Sequence, residues 1–137
     1  MGVKISGIFE SGLAMTMTHD LSGVRLRTDP PLDNGGKGES FSPTDLVATG
    51  LGACMMSVMA IYARKEGIDL TGMACKVEKH MSADLPRRIS VLDVDIVMPR
   101  GLSPEARETL ERIGNTCPVI QSLHPAITLN KQYRYEA

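Results

Sequence analysis

Three cysteines carry most of the chemistry this sequence offers, and each stands in a different setting. Cys54 lies within Leu46–Tyr62, a run without a charged side chain, and its neighbours one helical turn away are Gly50, Leu51, Ser57 and Val58. In so apolar a bed desolvation disfavours a thiolate, and the start of the helix at Ser42 is too many turns away for its partial positive charge to help. The sulfur is therefore either a small core residue or a nucleophile activated by a cation brought from another element. Cys117 stands directly before Pro118, at a helix N-cap, where free backbone amides and the helix dipole favour an anionic sulfur. The plainer reading is an indifferent cap. Cys75 alternates with Met73 and Val77 toward one face of a strand, so burial accounts for it and no chemistry is assigned. An odd number of cysteines argues against a disulfide framework. No Cys-x-x-Cys or His-x-x-x-His spacing is present and His19, His80 and His124 are scattered, so no metal is expected. Gly35, Gly36 and Gly38 do not form a dinucleotide pattern, and neither a phosphate loop nor a G-x-S-x-G elbow occurs, so no cofactor is expected.

The elements that must position these thiols are readable from periodicity and caps. Short strands are expected over residues 4–9, 13–18 and 24–28, followed by an exposed loop through the Pro-, Gly- and Asn-rich residues 29–38. Ser42 as N-cap, Pro43 at the first helical position and Asp45 three after the cap open a helix that runs to about Glu66 and stops at Gly67. About 24 residues long, it extends roughly 36 Å. Being apolar or small on every face, it reads as the buried spine of the core. The alternative of a membrane span is set aside because Thr49, Gly50, Gly52 and Ser57 dilute the run and amphipathic strands surround it. Period-two strands return over residues 73–81 and 88–98, with Leu92, Val94, Ile96 and Met98 on one face and Asp93 and Asp95 on the other. Ser103-Pro104 opens an amphipathic helix that ends at Gly114-Asn115, Cys117-Pro118 opens a short one, and residues 127–135 form a final strand.

A length of 137 residues fits one domain with one core, here taken as the whole of residues 1–137. Fifteen basic against sixteen acidic residues give a net charge of −1, and the chain has no Trp, so it lacks both the charge and the stacking surface that a nucleic acid would use. Residues 1–6 show no export signal, which points to the cytoplasm.

The stretches Ser42-Pro43-Thr44-Asp45-Leu46-Val47-Ala48-Thr49-Gly50-Leu51-Gly52-Ala53-Cys54 and Asn115-Thr116-Cys117-Pro118-Val119 resemble the OsmC/Ohr family of thiol-dependent hydroperoxide reductases, and the order of elements matches over nearly the whole chain. The resemblance implies an α+β fold, with antiparallel sheets packed around a long buried central helix in an intertwined homodimer. It also implies a peroxidatic Cys54 resolved by Cys117, an organic hydroperoxide as substrate and a dithiol as reductant. Where the better-studied enzymes of the family carry a glutamate, this chain has Thr44, and the family arginine expected near Glu10 to Gly12 is absent. Arg25 and Arg27, which share a strand face, are the candidate replacements, as is a residue of the partner chain. Asp45 is the candidate carboxylate, unless it serves only the capping box. Leu51, Val58 and Thr44 are the candidate substrate-binding residues. Two further readings stand beside the enzyme: a binding or redox-sensing dimer with little turnover, and a purely structural homodimer.

Overall fold

Alternation of side chains builds two separate three-stranded sheets in a computed structural model that describes residues 1–136. The chain divides into two compact units, Met1–Val47 and the remainder from Ala48 on. In the first, β1 (Ile5–Phe9), β2 (Met15–His19) and β3 (Arg25–Thr28) pair as the antiparallel meander that the period-two pattern predicts. Gly12 and Gly23 take positive φ in its two turns. The loop after β3 is ordered by Asp29, whose buried carboxylate accepts the backbone N–H groups of Lys37 and Glu39 at 3.2 and 3.1 Å. It contains one 3-10 turn at Leu32–Asn34, where the sequence suggested only irregular loop. Gly36 is obligatory there, since a Cβ would fall 1.7 Å from the carbonyl oxygen of Pro30.

The helix α1 (Pro43–Lys65) starts at the capping box read from the sequence: the Asp45 N–H donates to Ser42 Oγ at 3.1 Å and the Ser42 N–H donates to Asp45 Oδ2 at 2.9 Å. Its buried positions, Ala48, Leu51, Gly52, Met55, Met59 and Ala63, fall on a single stripe. The opposite stripe, with Gly50, Ala53, Ser57, Ala60 and Ile61, is not buried within the chain, and Ile61 is 58% exposed. Burial on every face, expected from the uniform apolarity, is thus met on one side only within one chain. By length and composition alone α1 would also pass as a membrane span.

In the second unit β4 (Ala74–Met81) pairs antiparallel with β5 (Ile89–Met98). The last strand, β6 (Thr128–Tyr135), pairs parallel with β5. The expectation of antiparallel sheets is corrected at this edge. The reason lies in the intervening chain: α2 (Pro104–Gly114) and α3 (Pro118–Ser122) form a crossover, which returns the chain to the end of the sheet where β5 began. Leu92, Val94, Ile96 and Met98 of β5 are buried to 2% exposure or less and form the core with the α1 stripe, Leu110 of α2 and Cys117. Contact between α1 and β4 is close enough that a Cβ on Gly52 would meet Cys75 Sγ and Val77 Cγ2, both at 2.9 Å. The other face of the sheet is polar. There Arg134 holds Asp95 in a two-pronged pair at 2.9 and 2.7 Å, keeping its carboxyl below the usual range.

Candidate functional site

The fold brings together two thiols that are far apart in sequence. Cys54 sits partly exposed within α1 and packs against the core cluster, while Cys117 is fully buried in that cluster. The Cys117 thiol lies within hydrogen-bonding reach of Cys54. Pro118 at the first helical position sets the start of α3, and Cys117, with the extended backbone of an N-cap, accepts the Ile120 N–H on its sulfur at 3.4 Å. The turn before it is anchored from the sheet. Tyr133 of β6 donates its hydroxyl hydrogen to Asn115 Oδ1 at 2.8 Å, and Asn115 in turn caps α2 through its N–H to the Glu111 carbonyl. Gly114 makes room for this: a Cβ there would lie 2.6 Å from the Tyr133 oxygen and 3.3 Å from Met59 Sδ.

The electrostatics of this corner reverse one expectation. A cysteine at a helix N-cap favours the thiolate, yet burial pushes the Cys117 thiol upward, and the neighbouring Cys54 sulfur adds to the rise. The Ile120 N–H opposes it but does not prevail. Fully buried, the sulfur loses the hydration that a thiolate would need, and the Ile120 and Val119 N–H groups of the cap only partly make up for it. Cys117 is therefore held as a neutral thiol at neutral pH. Tyr133 is likewise pushed up to about 12, first by burial, then by the charge of Glu111 and, at the high pH where Cys117 is ionised, by that of its thiolate, so its hydroxyl remains a donor throughout the physiological range. Farther along β6, Tyr135 donates to the Glu111 carboxylate, and the Arg107 guanidinium lies over the Tyr135 ring at 4.3 Å from its centroid.

Cys75 is partly buried and its thiol too is raised by burial, in keeping with a packing role against α1 at Gly52. Asp45 serves the capping box, and Thr44 Oγ1 lies 3.3 Å from Ser42 Oγ in the same first turn. Leu51 is wholly buried in the core, whereas Val58 is partly exposed and packs against it. Arg25 and Arg27 occupy alternate positions on exposed β3, paired in register with Thr18 and Thr16, and Arg27 borders a cavity of about 200 Å³ with Asp29, Lys37 and Glu39. Of the candidate residues, then, the structure brings Cys54 and Cys117 into contact, with Leu51 and Val58 in the same core region. It shows a local capping task for Asp45.

The group around Cys117 that the sequence did not single out is Glu111, Asn115 and Tyr133. Their faces were legible, since Tyr133 alternates inward along the last strand and Asn115 marks a helix end. Their meeting depends on the parallel placement of β6, which no local signal encodes.

Comparison with known proteins agrees with this fold. The family model described as OsmC-like protein matches residues 36–131. A crystal structure from Psychrobacter arcticus 273-4, described as an osmotic stress induced and detoxification response protein, superimposes with a TM-score of 0.90 at 36% identity, covering 97% of each chain. An OsmC-like protein from Mycoplasma pneumoniae gives a TM-score of 0.82 at 15% identity, over 100% of this chain and 99% of that one. An organic hydroperoxide resistance protein OsmC from Legionella pneumophila gives 0.72 at 20% identity, over 98% and 97%. Among curated proteins no match is found. With a family match that takes in both α1 and the Cys117 turn, and a relative this similar over nearly its full length, the chain belongs to the OsmC-like protein family.

Proposed function

We propose that the protein is a two-cysteine peroxidase that reduces organic hydroperoxides, within the redox or stress role that membership of the OsmC-like family supports. The observation that carries this reading is the contact between Cys54 and Cys117, one partly accessible and one buried, delivered by separate elements. The Cys54 thiolate attacks the outer oxygen of the hydroperoxide. An S–O bond forms, the O–O bond breaks, and the alcohol leaves with a proton while the sulfur loses two electrons. The Cys117 sulfur then attacks the sulfenic acid, forming the S–S bond and releasing water, which carries away the Cys117 proton. A dithiol reductant restores both thiols by exchange. Hydrogen peroxide is a second proposed substrate of the same chemistry.

Arg25 and Arg27 are the proposed sources of the activating charge, and Val58, Leu51 and Thr44 the proposed substrate contacts. We read the whole chain as one OsmC-like domain because the family match crosses the boundary between the two units. A homodimer is proposed because α1 leaves its Gly50, Ala53, Ser57, Ala60 and Ile61 stripe uncovered, a surface of small residues that lets a second helix approach closely. The proposed compartment is the cytoplasm, where a dithiol pool keeps such cysteines reduced.

A second reading, a binding or redox-sensing dimer with little turnover, is favoured by Thr44 in place of the family glutamate and by the absence of an arginine from Glu10 to Gly12. Exposure of the reduced protein to cumene hydroperoxide separates the two. The enzyme consumes peroxide repeatedly when a dithiol is supplied and accumulates a Cys54–Cys117 disulfide, mapped by mass spectrometry, when it is not. A disulfide formed once without turnover supports the sensor, and the absence of both removes the redox role.

A further inference from the structure

On the polar face of the β4-β5-β6 sheet, three side chains from two paired strands converge on one point. Glu78 and His80 are two residues apart on β4 and so point the same way, and Asp93 of β5 lies directly across from Glu78. His80 Nε2 is 3.4 Å from Glu78 Oε1 and 2.9 Å from Asp93 Oδ2, and one ligand atom from each of the three lies within 4.8 Å of the others. On the third strand, Asn130 stands in register with Asp93 and donates its Nδ2 hydrogen to Asp93 Oδ1 at 2.7 Å. That leaves Oδ2 turned toward the histidine. The hydrogen bonds from Asn130 and His80 hold the Asp93 carboxyl below its usual range, so it stays ionised. The backbone is fixed as well: Ser90 donates its hydroxyl hydrogen to the His80 carbonyl at 3.1 Å.

We propose that Glu78, His80 and Asp93 form a binding site for a divalent transition-metal ion of the Zn²⁺ class, with Asn130 as the residue that orients Asp93. Tetrahedral zinc with bonds of about 2.0 to 2.1 Å has ligand-to-ligand edges of roughly 3.3 to 3.4 Å. The Glu78–His80 separation already has that length, and the His80–Asp93 contact must open by only a few tenths of an ångström. One imidazole and two carboxylates suit zinc better than calcium or magnesium, which require six or more oxygen ligands or near-octahedral oxygen coordination. Three protein ligands leave the fourth position to water. The carboxylate–amide contact from Asn130 is the kind of outer support that fixes a metal ligand in place. None of these groups belongs to the cysteine pair, so the site stands or fails independently of the peroxidase reading.

The test uses the full chain without a histidine tag, stripped with a chelator and kept reduced by a phosphine. ZnCl₂ or MgCl₂ is titrated while the ring nitrogens of the three histidines are followed by long-range ¹H–¹⁵N NMR. This readout excludes any zinc taken up by the thiols. His19, which contacts Ser22, and His124, which accepts the Ala126 N–H, serve as internal controls. The expected result is a saturable shift of the His80 nitrogens with Zn²⁺ and none with Mg²⁺. Glu78→Gln and Asn130→Ala should each weaken the zinc affinity read at His80 by about tenfold. A His80 signal indifferent to zinc, a shift produced equally by magnesium, or a zinc affinity unchanged in Glu78→Gln overturns the proposal.

Discussion

Oxidation should make the protein more resistant to unfolding, and by an amount the geometry fixes. A Cys54–Cys117 bond closes a loop of about 63 residues, and the loss of unfolded-state entropy for that length is about 4 kcal/mol at 25 °C. Two native-state effects act against this gain. The Ile120 N–H to Cys117 Sγ contact, already long at 3.4 Å, is weakened or lost, costing up to about 1 kcal/mol as a helix cap. Any shift of α3 needed to bring the sulfurs to bonding distance adds strain and reduces the gain further. The net expectation is about 3 kcal/mol. For a chain of this size 1 kcal/mol corresponds to about 3.5 °C in Tm, so the oxidised form should melt about 10 °C above the reduced form.

The assay is a pair of calorimetric melts at one protein concentration, since a dimer's Tm depends on it. One sample is kept in dithiol; the other is treated with one equivalent of cumene hydroperoxide and freed of excess oxidant. Cys117→Ser, treated identically, controls for oxidation that does not close the loop and should gain nothing. An oxidised wild type that melts at or below the reduced protein, or a Cys117→Ser variant that gains as much, would refute the premise that these sulfurs are held ready to bond.

Gly52→Ala should destabilise despite the better helix propensity of alanine: overpacking against Cys75 and Val77 costs about 1 to 3 kcal/mol against a gain of about 1. Chemical denaturation shows this, and adding Cys75→Ala should recover part of the loss; a stabilised Gly52→Ala would contradict the α1–β4 contact. Asp45→Asn keeps an acceptor for the Ser42 N–H, so it should cost under about 1 kcal/mol and leave hydroperoxide consumption unchanged within about twofold. A tenfold loss of rate would give Asp45 a part in the chemistry. Because burial raises the Cys117 thiol, closure of the disulfide from a Cys54 sulfenic acid should accelerate steadily through pH 7 to 9 as the nucleophilic thiolate fraction grows. Dimedone competition by stopped flow measures this, and a rate that is flat with pH would mean that Cys117 ionises lower than its surroundings dictate.

What the sequence reveals here is what neighbours along the chain decide. The α1 start at Ser42-Pro43-Asp45, the α2 start at Ser103-Pro104, the Cys117 cap and the inward face of β5 are all set by local chemistry, and each is found where the pattern places it. What depends on distant partners is hidden. The parallel course of β6 follows from where α2 and α3 deliver the chain, and the exposed stripe of α1 follows from how far one chain's core reaches around it. Glu78, His80 and Asp93 meet through strand register, so no His or Cys spacing announces them.

The sign of the Cys117 ionisation is the sharpest of these cases, and it bears on the order of the proposed chemistry. A cap position alone would make Cys117 an anion and a competitor of Cys54 for the oxidant. Buried in the core with residues of α1, β5 and α2, it stays protonated and, in the proposed reaction, shielded from a bulky hydroperoxide, while Cys54 remains partly open. In the proposed reaction the first oxidation is thereby directed to Cys54, and Cys117 would enter only when a sulfenic acid forms within its reach. On the peroxidase reading, the same burial that removes the advantage of the helix cap gives the two sulfurs different tasks, and Tyr133, by holding the Asn115 turn, would keep the second one in place for its step.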